Sequence, residues 1–97
     1  MAKGYWVAHV DVHDMEIYKQ YIAANAAPFK EYGARFLVRA GERVEKEGKA
    51  RKRTVVIEFP SYEAALECYD SPGYQQAKAI RDPVSTGDMV IIRGYEG

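Results

Sequence analysis

Thr54-Val55-Val56-Ile57-Glu58-Phe59-Pro60-Ser61 is the stretch on which the fold turns. Its first six residues are β-branched or aromatic except Glu58, the types that fit a pleated, half-buried surface. The near-continuous apolar run predicts a central strand with both faces covered. Pro60 cannot continue a ladder, and Ser61 is a good helix cap. A strand that passes directly into a helix is therefore predicted here.

Downstream, Tyr62, Ala65, Leu66 and Tyr69 recur at helical spacing and predict a buried stripe. Asp70-Ser71-Pro72-Gly73 interrupts it. Ser71 before Pro72 is a second helix start, with proline at the first helical position. Tyr74, Ala77, Lys78 and Arg81 then share one face, and Asp82-Pro83 ends the helix. Met89-Val90-Ile91-Ile92-Arg93 reads as the last strand.

Upstream, Tyr5 to Val12 alternates as a strand. Trp6, Ala8, Val10 and Val12 make an apolar face; Tyr5, Val7, His9 and Asp11 make a mixed one. Asp14 caps a helix predicted from Met15 to Tyr32, with the stripe Tyr18, Tyr21, Ile22, Ala26, Phe29 and a kink at Pro28. Gly33 stops it. Ala34 to Ala40 is a further strand. Glu42 to Lys52 is densely charged but mixed in sign, and Glu47-Gly48-Lys49 predicts the turn of a solvated β-hairpin.

The order is strand, helix, strand, strand, helix, strand. Right-handed crossovers interleave two such units into an α+β, ferredoxin-like βαββαβ domain spanning residues 1–97. The predicted sheet is antiparallel, in the order 4-1-3-2, with both helices on one face. Val7 and Val56 leave an apolar patch on the other face, which predicts a homodimer through that open face.

The chain has 97 residues, with 14 Lys plus Arg against 14 Asp plus Glu. A zero formal net charge excludes a general nucleic-acid or anionic-membrane binder, which needs a cationic field. RNA binding through the sheet is rejected too. The central strand lacks the glycine–aromatic signature that stacks bases, and Glu58 would repel phosphate. No segment is long and apolar enough to span a bilayer. One cysteine, Cys68, permits no intrachain disulfide, and the cytoplasm is the expected compartment. Eight tyrosines against three phenylalanines suit half-wet packing or a polar aromatic pocket.

Arg53 to Ser61, Ala65, Cys68-Tyr69-Asp70-Ser71-Pro72-Gly73-Tyr74-Gln75 and Arg81 together resemble a bacterial family known as domain of unknown function 1330. The strand ending near Asp11, the tyrosines Tyr18 and Tyr21, and the Glu47-Gly48 turn match as well. The chain departs from the pattern at Tyr32-Gly33-Ala34, where a Gly-Gly pair is expected, and at Gly73, where an acidic residue is commoner. That family is similar to the dimeric α/β barrels, which include cofactor-free monooxygenases, haem-degrading enzymes, chlorite-dismutase-like proteins and stress-response proteins. The resemblance implies a fold and a dimer; one fold hosts many activities.

Chemistry is expected from five residues. His9 and Glu58 are the candidate proton-exchanging, catalytic groups; Tyr69, Tyr74 and Arg81 are the candidate ligand-binding groups. Arg81 would anchor an anionic group of a small organic ligand, with the tyrosines orienting it. Glu58 either carries a raised pKa among apolar neighbours or pairs with Arg39 or Arg93. His9, Asp11 and His13 alternate but lack a fourth partner, so no metal site is expected. Cys68 is expected to be buried and inert. No cofactor motif is present. Two functions remain open: a cofactor-free enzyme of monooxygenase or isomerase type, and a non-catalytic small-molecule-binding or stress-response module.

Overall fold

The computed structural model describes residues 2–97. Its elements are β1 (Gly4–Val12), α1 (Met15–Ala24), α2 (Ala26–Glu31), β2 (Arg35–Arg39), β3 (Arg53–Phe59), α3 (Tyr62–Asp70), α4 (Pro72–Arg81), a short 3-10 turn (Asp82–Val84) and β4 (Ser85–Arg93). The sheet is antiparallel throughout and ordered β2-β3-β1-β4, as predicted. The molecule is only 17 Å thick, one helical layer on one sheet.

Register decides which side chains meet the helices. Trp6 lies opposite Ile57 and Ile91, and Ala8 opposite Val55 and Met89. These residues, with Val10 and Phe59, pack under the helices in one cluster with Tyr21, Phe29, Cys68 and Tyr74. The Trp6 ring meets Phe29, Phe59, Tyr69 and Tyr74 at centroid distances of 4.8–5.9 Å. Its indole N–H donates to the Ala65 carbonyl at 2.9 Å, tying β1 to α3. The opposite face carries Tyr5, Val7, His9 and Asp11, with Val90 and Ile92 more than half exposed.

β1 comes unusually close to α3. A β-carbon added at Gly4 would stand 2.6 Å from the Ser61 carbonyl oxygen and 2.6 Å from the Tyr62 Cα. Both are backbone, so relief requires the helix to move. Gly4→Ala is expected to cost about 2 kcal/mol by overpacking, read as a lowered urea midpoint at unchanged m-value.

Four local expectations are corrected. The predicted Met15–Tyr32 helix is two helices, and the break falls at Asn25 rather than at Pro28. A proline ring crowds the carbonyl of residue i−4 and gives it no donor. For Pro28 that residue is Ala24, so the helix yields one turn upstream. The Glu42–Lys52 hairpin does not form. That segment is a loop without strand pairing, and only a bend survives at Glu47–Gly48, where Gly48 takes φ +67°. Its polar groups bond locally and to β1 instead: Glu45 accepts from the Ala50 N–H, and Asp11 accepts from the Lys52 N–H at 3.0 Å.

The third correction concerns α3. It buries Ala65 and Cys68, while Leu66 is 38% exposed and Tyr62 and Tyr69 are half-buried. The stripe is rotated because Gly4 lets this helix settle directly on the sheet, a contact that admits only small side chains. Last, β4 begins at Ser85 rather than Met89, since the whole of β1 to Val12 offers it a partner.

Candidate functional site

α1 and α4 roof a cavity of about 100 Å³ over the helix-facing side of the sheet. Trp6, Ala8, Val10, Val55 and Ile57 floor it; Tyr18 and Tyr21 come from α1, Asn25 from the break after it, and Tyr74 and Arg81 from α4. Arg53 and Arg39 extend it from β3 and β2, and Ser85, Gly87, Asp88 and Met89 of β4 line its far edge. Such a space is somewhat smaller than the ~150 Å³ that accommodates benzene, so about four to six heavy atoms can be enclosed. Larger parts of a ligand would project past the exposed rim at Arg39 and Gly87.

Capping aims the α4 side chains. The Ser71 hydroxyl accepts from the Tyr74 N–H at 3.2 Å and donates to the Cys68 carbonyl at 2.7 Å, so one buried serine ends α3 and starts α4. The turn drives Tyr74 into the core, where it is 1% exposed. Arg81, seven residues on, lies on the same side of the helix. Its Nε and Nη2 both approach the Tyr74 hydroxyl at 3.4 Å, and Nη1 donates to Asp82 at 2.9 Å.

The Tyr74 and Tyr21 hydroxyls are 2.8 Å apart. Arginine has only donors, so the Tyr74 oxygen is the acceptor for Arg81 and its lone pairs are engaged. Either phenol can donate in the bond they share, and the charge of Arg81 favours donation from Tyr74 to the Tyr21 oxygen. In that direction the Tyr21 proton is left for the cavity, at the end of a chain polarised from Arg81. Burial, aided by neighbouring Tyr21, pushes the Tyr74 hydroxyl far above the usual phenol range, and burial also raises Tyr18. At neutral pH these phenols are hydrogen-bond donors and acceptors, not bases.

Arg53 and Arg39 reach the cavity by different routes. Arg53 begins the helix-facing series Arg53, Val55, Ile57, Phe59, and its guanidinium stands 5.6 Å over the Tyr18 ring. Its Nε is buried with no hydrogen-bond partner among the described residues. Arg39 depends on a β-bulge. Phe36 opposes Ile57, but Val38 opposes Val56 and Arg39 opposes Val55. The extra residue turns Arg39 onto the same face as Phe36, where it lies 4.0 Å over that ring.

The structure thus brings Tyr74 and Arg81 together and separates them from His9 and Glu58. The latter two occupy the open face of the sheet, and about 13 Å of strand separates their positions. His9 Nδ1 lies 3.2 Å from the Thr54 hydroxyl. Glu58 accepts from the Tyr5 hydroxyl at 3.1 Å, with Lys3 at 4.0 Å. The expected partners of Glu58 face the other way: Arg39 because of the bulge, and Arg93 because it opposes Gly4 and stacks over Tyr62. A single pocket joining all five candidates is therefore not what the sheet builds. Tyr69 packs 5.6 Å from Tyr74 and 5.9 Å from Trp6, behind the cavity wall. His13 turns to Thr86 at 2.9 Å, and Asp11 is held below the usual carboxylate range by the Lys52 N–H and by Arg51.

Sequence reasoning placed Tyr18 and Tyr21 in a core stripe and did not single them out, nor Arg53. Two tyrosines where phenylalanine would pack as well were the available signal for the first pair. For Arg53, counting back by twos from Ile57 would have put a cation on the covered face. No pattern reveals the bulge that aims Arg39.

Cys68 is fully buried, and burial, with Glu31 adding, pushes its thiol up to about 12. It should resist iodoacetamide at pH 8 in the native state and react once urea unfolds the chain. The folded pKa is raised, so its contribution to stability is complete below 9.0 and is lost as pH climbs toward about 12. Buried Tyr18 and Tyr74 act in the same direction. Urea midpoints should therefore stay level to about pH 9 and fall above it, which a series of melts would reveal.

A two-layer α+β fold with four antiparallel strands, and a cavity between layers, places the molecule among ferredoxin-like proteins. The chain belongs to the family described as Domain of unknown function (DUF1330), whose model matches residues 3–95. Among curated proteins none matches it. Solved structures do. A protein of unknown function from Rhodopseudomonas palustris superposes with a TM-score of 0.78 at 14% identity, covering 99% of this chain and 85% of that one. A cofactor-independent oxygenase from Streptomyces nogalater gives 0.69 at 14% identity, covering 100% and 97%. A dimeric ferredoxin-like protein of unknown function from Jannaschia gives 0.71 at 12% identity, covering 93% and 97%. At these identities the likeness is one of fold. No helix among the described residues is long and apolar enough to cross a membrane.

Proposed function

We propose that the cavity between α1, α4 and the sheet binds a small organic acid in its anionic form, as the substrate of a cofactor-free enzyme. The observation that carries this is the Arg81–Tyr74–Tyr21 hydrogen-bond chain on the wall of an aromatic cavity. Arg81 supplies charge for a carboxylate, and Tyr74 sets its orientation. Tyr21 offers a polarised proton to a carbonyl or enolate oxygen on the same molecule. Donors preorganised in a low-dielectric site stabilise developing negative charge far better than water does. The fold shared with a cofactor-independent oxygenase supports monooxygenase- or isomerase-type chemistry on such an anion. The second reading, a non-catalytic binding module, is favoured by the make-up of the chain, in which the Asp82 carboxylate is spent on Arg81 and burial keeps the Tyr74 phenol protonated at neutral pH.

His9 and Glu58 belong, in this reading, to the face on which a second copy packs. Val7, Val38, Val56, Val90 and Ile92 give that face its apolar strip. A homodimer burying at least about 1,000 Å² would cover it. Light scattering should return twice the 11.0 kDa chain mass at micromolar concentration. A lone buried thiol suits a reducing cytoplasm.

Calorimetric titration tests the cavity. Propionate should bind and propionamide should not, because only the former carries the charge Arg81 recognises. Arg81→Gln should remove propionate binding while the protein still melts cooperatively. Equal binding of acid and amide would overturn the proposal.

A further inference from the structure

Three guanidiniums face the cavity, and among the described residues only Arg81 is ion-paired. Arg81 is bonded to Asp82. Arg53 and Arg39 form no ion pair among the described residues, although the chain as a whole is charge-neutral. The two also sit close together. Arg39 opposes Val55, and Arg53 is two residues along the same strand on the same face. Diagonal positions of this kind lie roughly 7–8 Å apart. Two unpaired cations on diagonal positions repel each other, and a buried N–H without a partner adds a further cost.

Their surroundings show what the arrangement is built to accept. Arg53 rests over Tyr18 and Arg39 over Phe36. Arg39, stacked on its ring, keeps its in-plane N–H edge free, whereas Arg53 also shares a side-chain hydrogen bond with the Tyr18 phenol and has only its Nε unengaged. The in-plane edge is the part that recognises a carboxylate bidentately. The buried, unpartnered Nε of Arg53 lies on this edge. Arg81 is related to Arg53 through adjacent rings. It stands 5.6 Å over Tyr21, whose centroid is 5.2 Å from that of Tyr18. Two cationic ends are thus joined by one aromatic wall.

We infer that Arg53 and Arg39 form a second anion subsite at the cavity mouth, so that the ligand is a small organic diacid held at both ends. This rests on the reading that Arg81 anchors a carboxylate at the inner end. The cavity volume agrees: the inner carboxylate and its neighbouring carbons are enclosed, and the outer carboxylate meets exposed Arg39 at the rim. The bulge in β2 then has a functional reason, since without it Arg39 would point to the opposite face of the sheet.

Titration of the full chain with malonate, succinate and glutarate against propionate and butyrate tests this. At least one diacid should bind about tenfold or more tightly than either monoacid, as expected for an added charge-assisted contact. Arg53→Gln and Arg39→Gln should each bring the diacid-to-monoacid affinity ratio close to one. Succinamide, which has the length of succinate without its charges, should not compete. Monoacids that bind as well as every diacid would overturn the second subsite and leave the Arg81 anchor standing. Binding of neither class would overturn both. The wild-type comparison decides the matter even if a variant folds poorly.

Discussion

Replacing Trp6 with alanine is expected to lower the unfolding free energy by about 4 kcal/mol, the range found when a buried aromatic is truncated. The residue is 2% exposed and touches four other aromatic rings within 6 Å. Truncation would empty the floor of the cavity and unpack β1 from α2, α3 and α4 at once. It would also strand the Ala65 carbonyl, which loses the indole donor at 2.9 Å. A domain of this size has roughly 5–15 kcal/mol in total, so the variant should be marginal at 37 °C. Trp6→Phe retains the ring contacts in part and loses the hydrogen bond, and it should fall between the two. Urea unfolding followed by circular dichroism gives all three values. A loss under 1 kcal/mol for alanine would mean that the aromatic cluster is not the keystone of the core.

Tyr74→Phe is expected to act on stability and on binding together. The ring remains, with its contacts to Trp6, Phe29 and Tyr69, so packing is nearly unchanged. Only the hydroxyl goes. Arg81 then loses the acceptor for two of its N–H groups, and Tyr21 loses its hydroxyl partner. Unsatisfied buried polar groups cost about 1–3 kcal/mol, and a loss of about 2 kcal/mol in urea melts follows. A carboxylate ligand should also bind about tenfold more weakly, because the chain that holds Arg81 and polarises Tyr21 is broken. A purely structural hydroxyl would shift the melt and leave the titration unchanged. Tyr21→Phe provides the contrast: it removes the terminal donor while Arg81 keeps Tyr74, so its effect should be greater on binding than on stability.

Much of the architecture is legible one residue at a time. The alternation in β1 separates Trp6, Ala8 and Val10 from Tyr5, Val7 and His9, and the structure keeps that division. Asp14, Ser61 and Ser71 cap their helices through side-chain oxygens, as their types and positions predict. These are local effects, set by a few bonds and the period of the backbone. The errors arise where local preference meets a distant partner. A bend at Gly48 is a local property, but the pairing of the strands around it is not, and the flanking charges bond to β1 and to the loop instead. The break at Asn25 follows from a proline three residues later.

For the candidate site the division is sharper. Residue type alone identified Tyr74 and Arg81 as a seven-residue helical pair, and they do meet. It also nominated His9 and Glu58, whose chemistry is right for proton exchange, yet a strand presents alternate residues to opposite faces and a sheet is opaque between them. Which face carries helices is a property of the crossover connections, not of either strand. Sequence by itself determined the order of strands and helices, three of the helix caps and the apolar face of β1, because these depend on spacing along one chain. Only the tertiary structure decided that Arg39 joins Arg53 over the cavity and that Tyr21 ends a hydrogen-bond chain from Arg81. The reason is physical: a one-residue bulge reverses the facing of everything beyond it, and a contact between α1 and α4 is set by how both pack on the sheet.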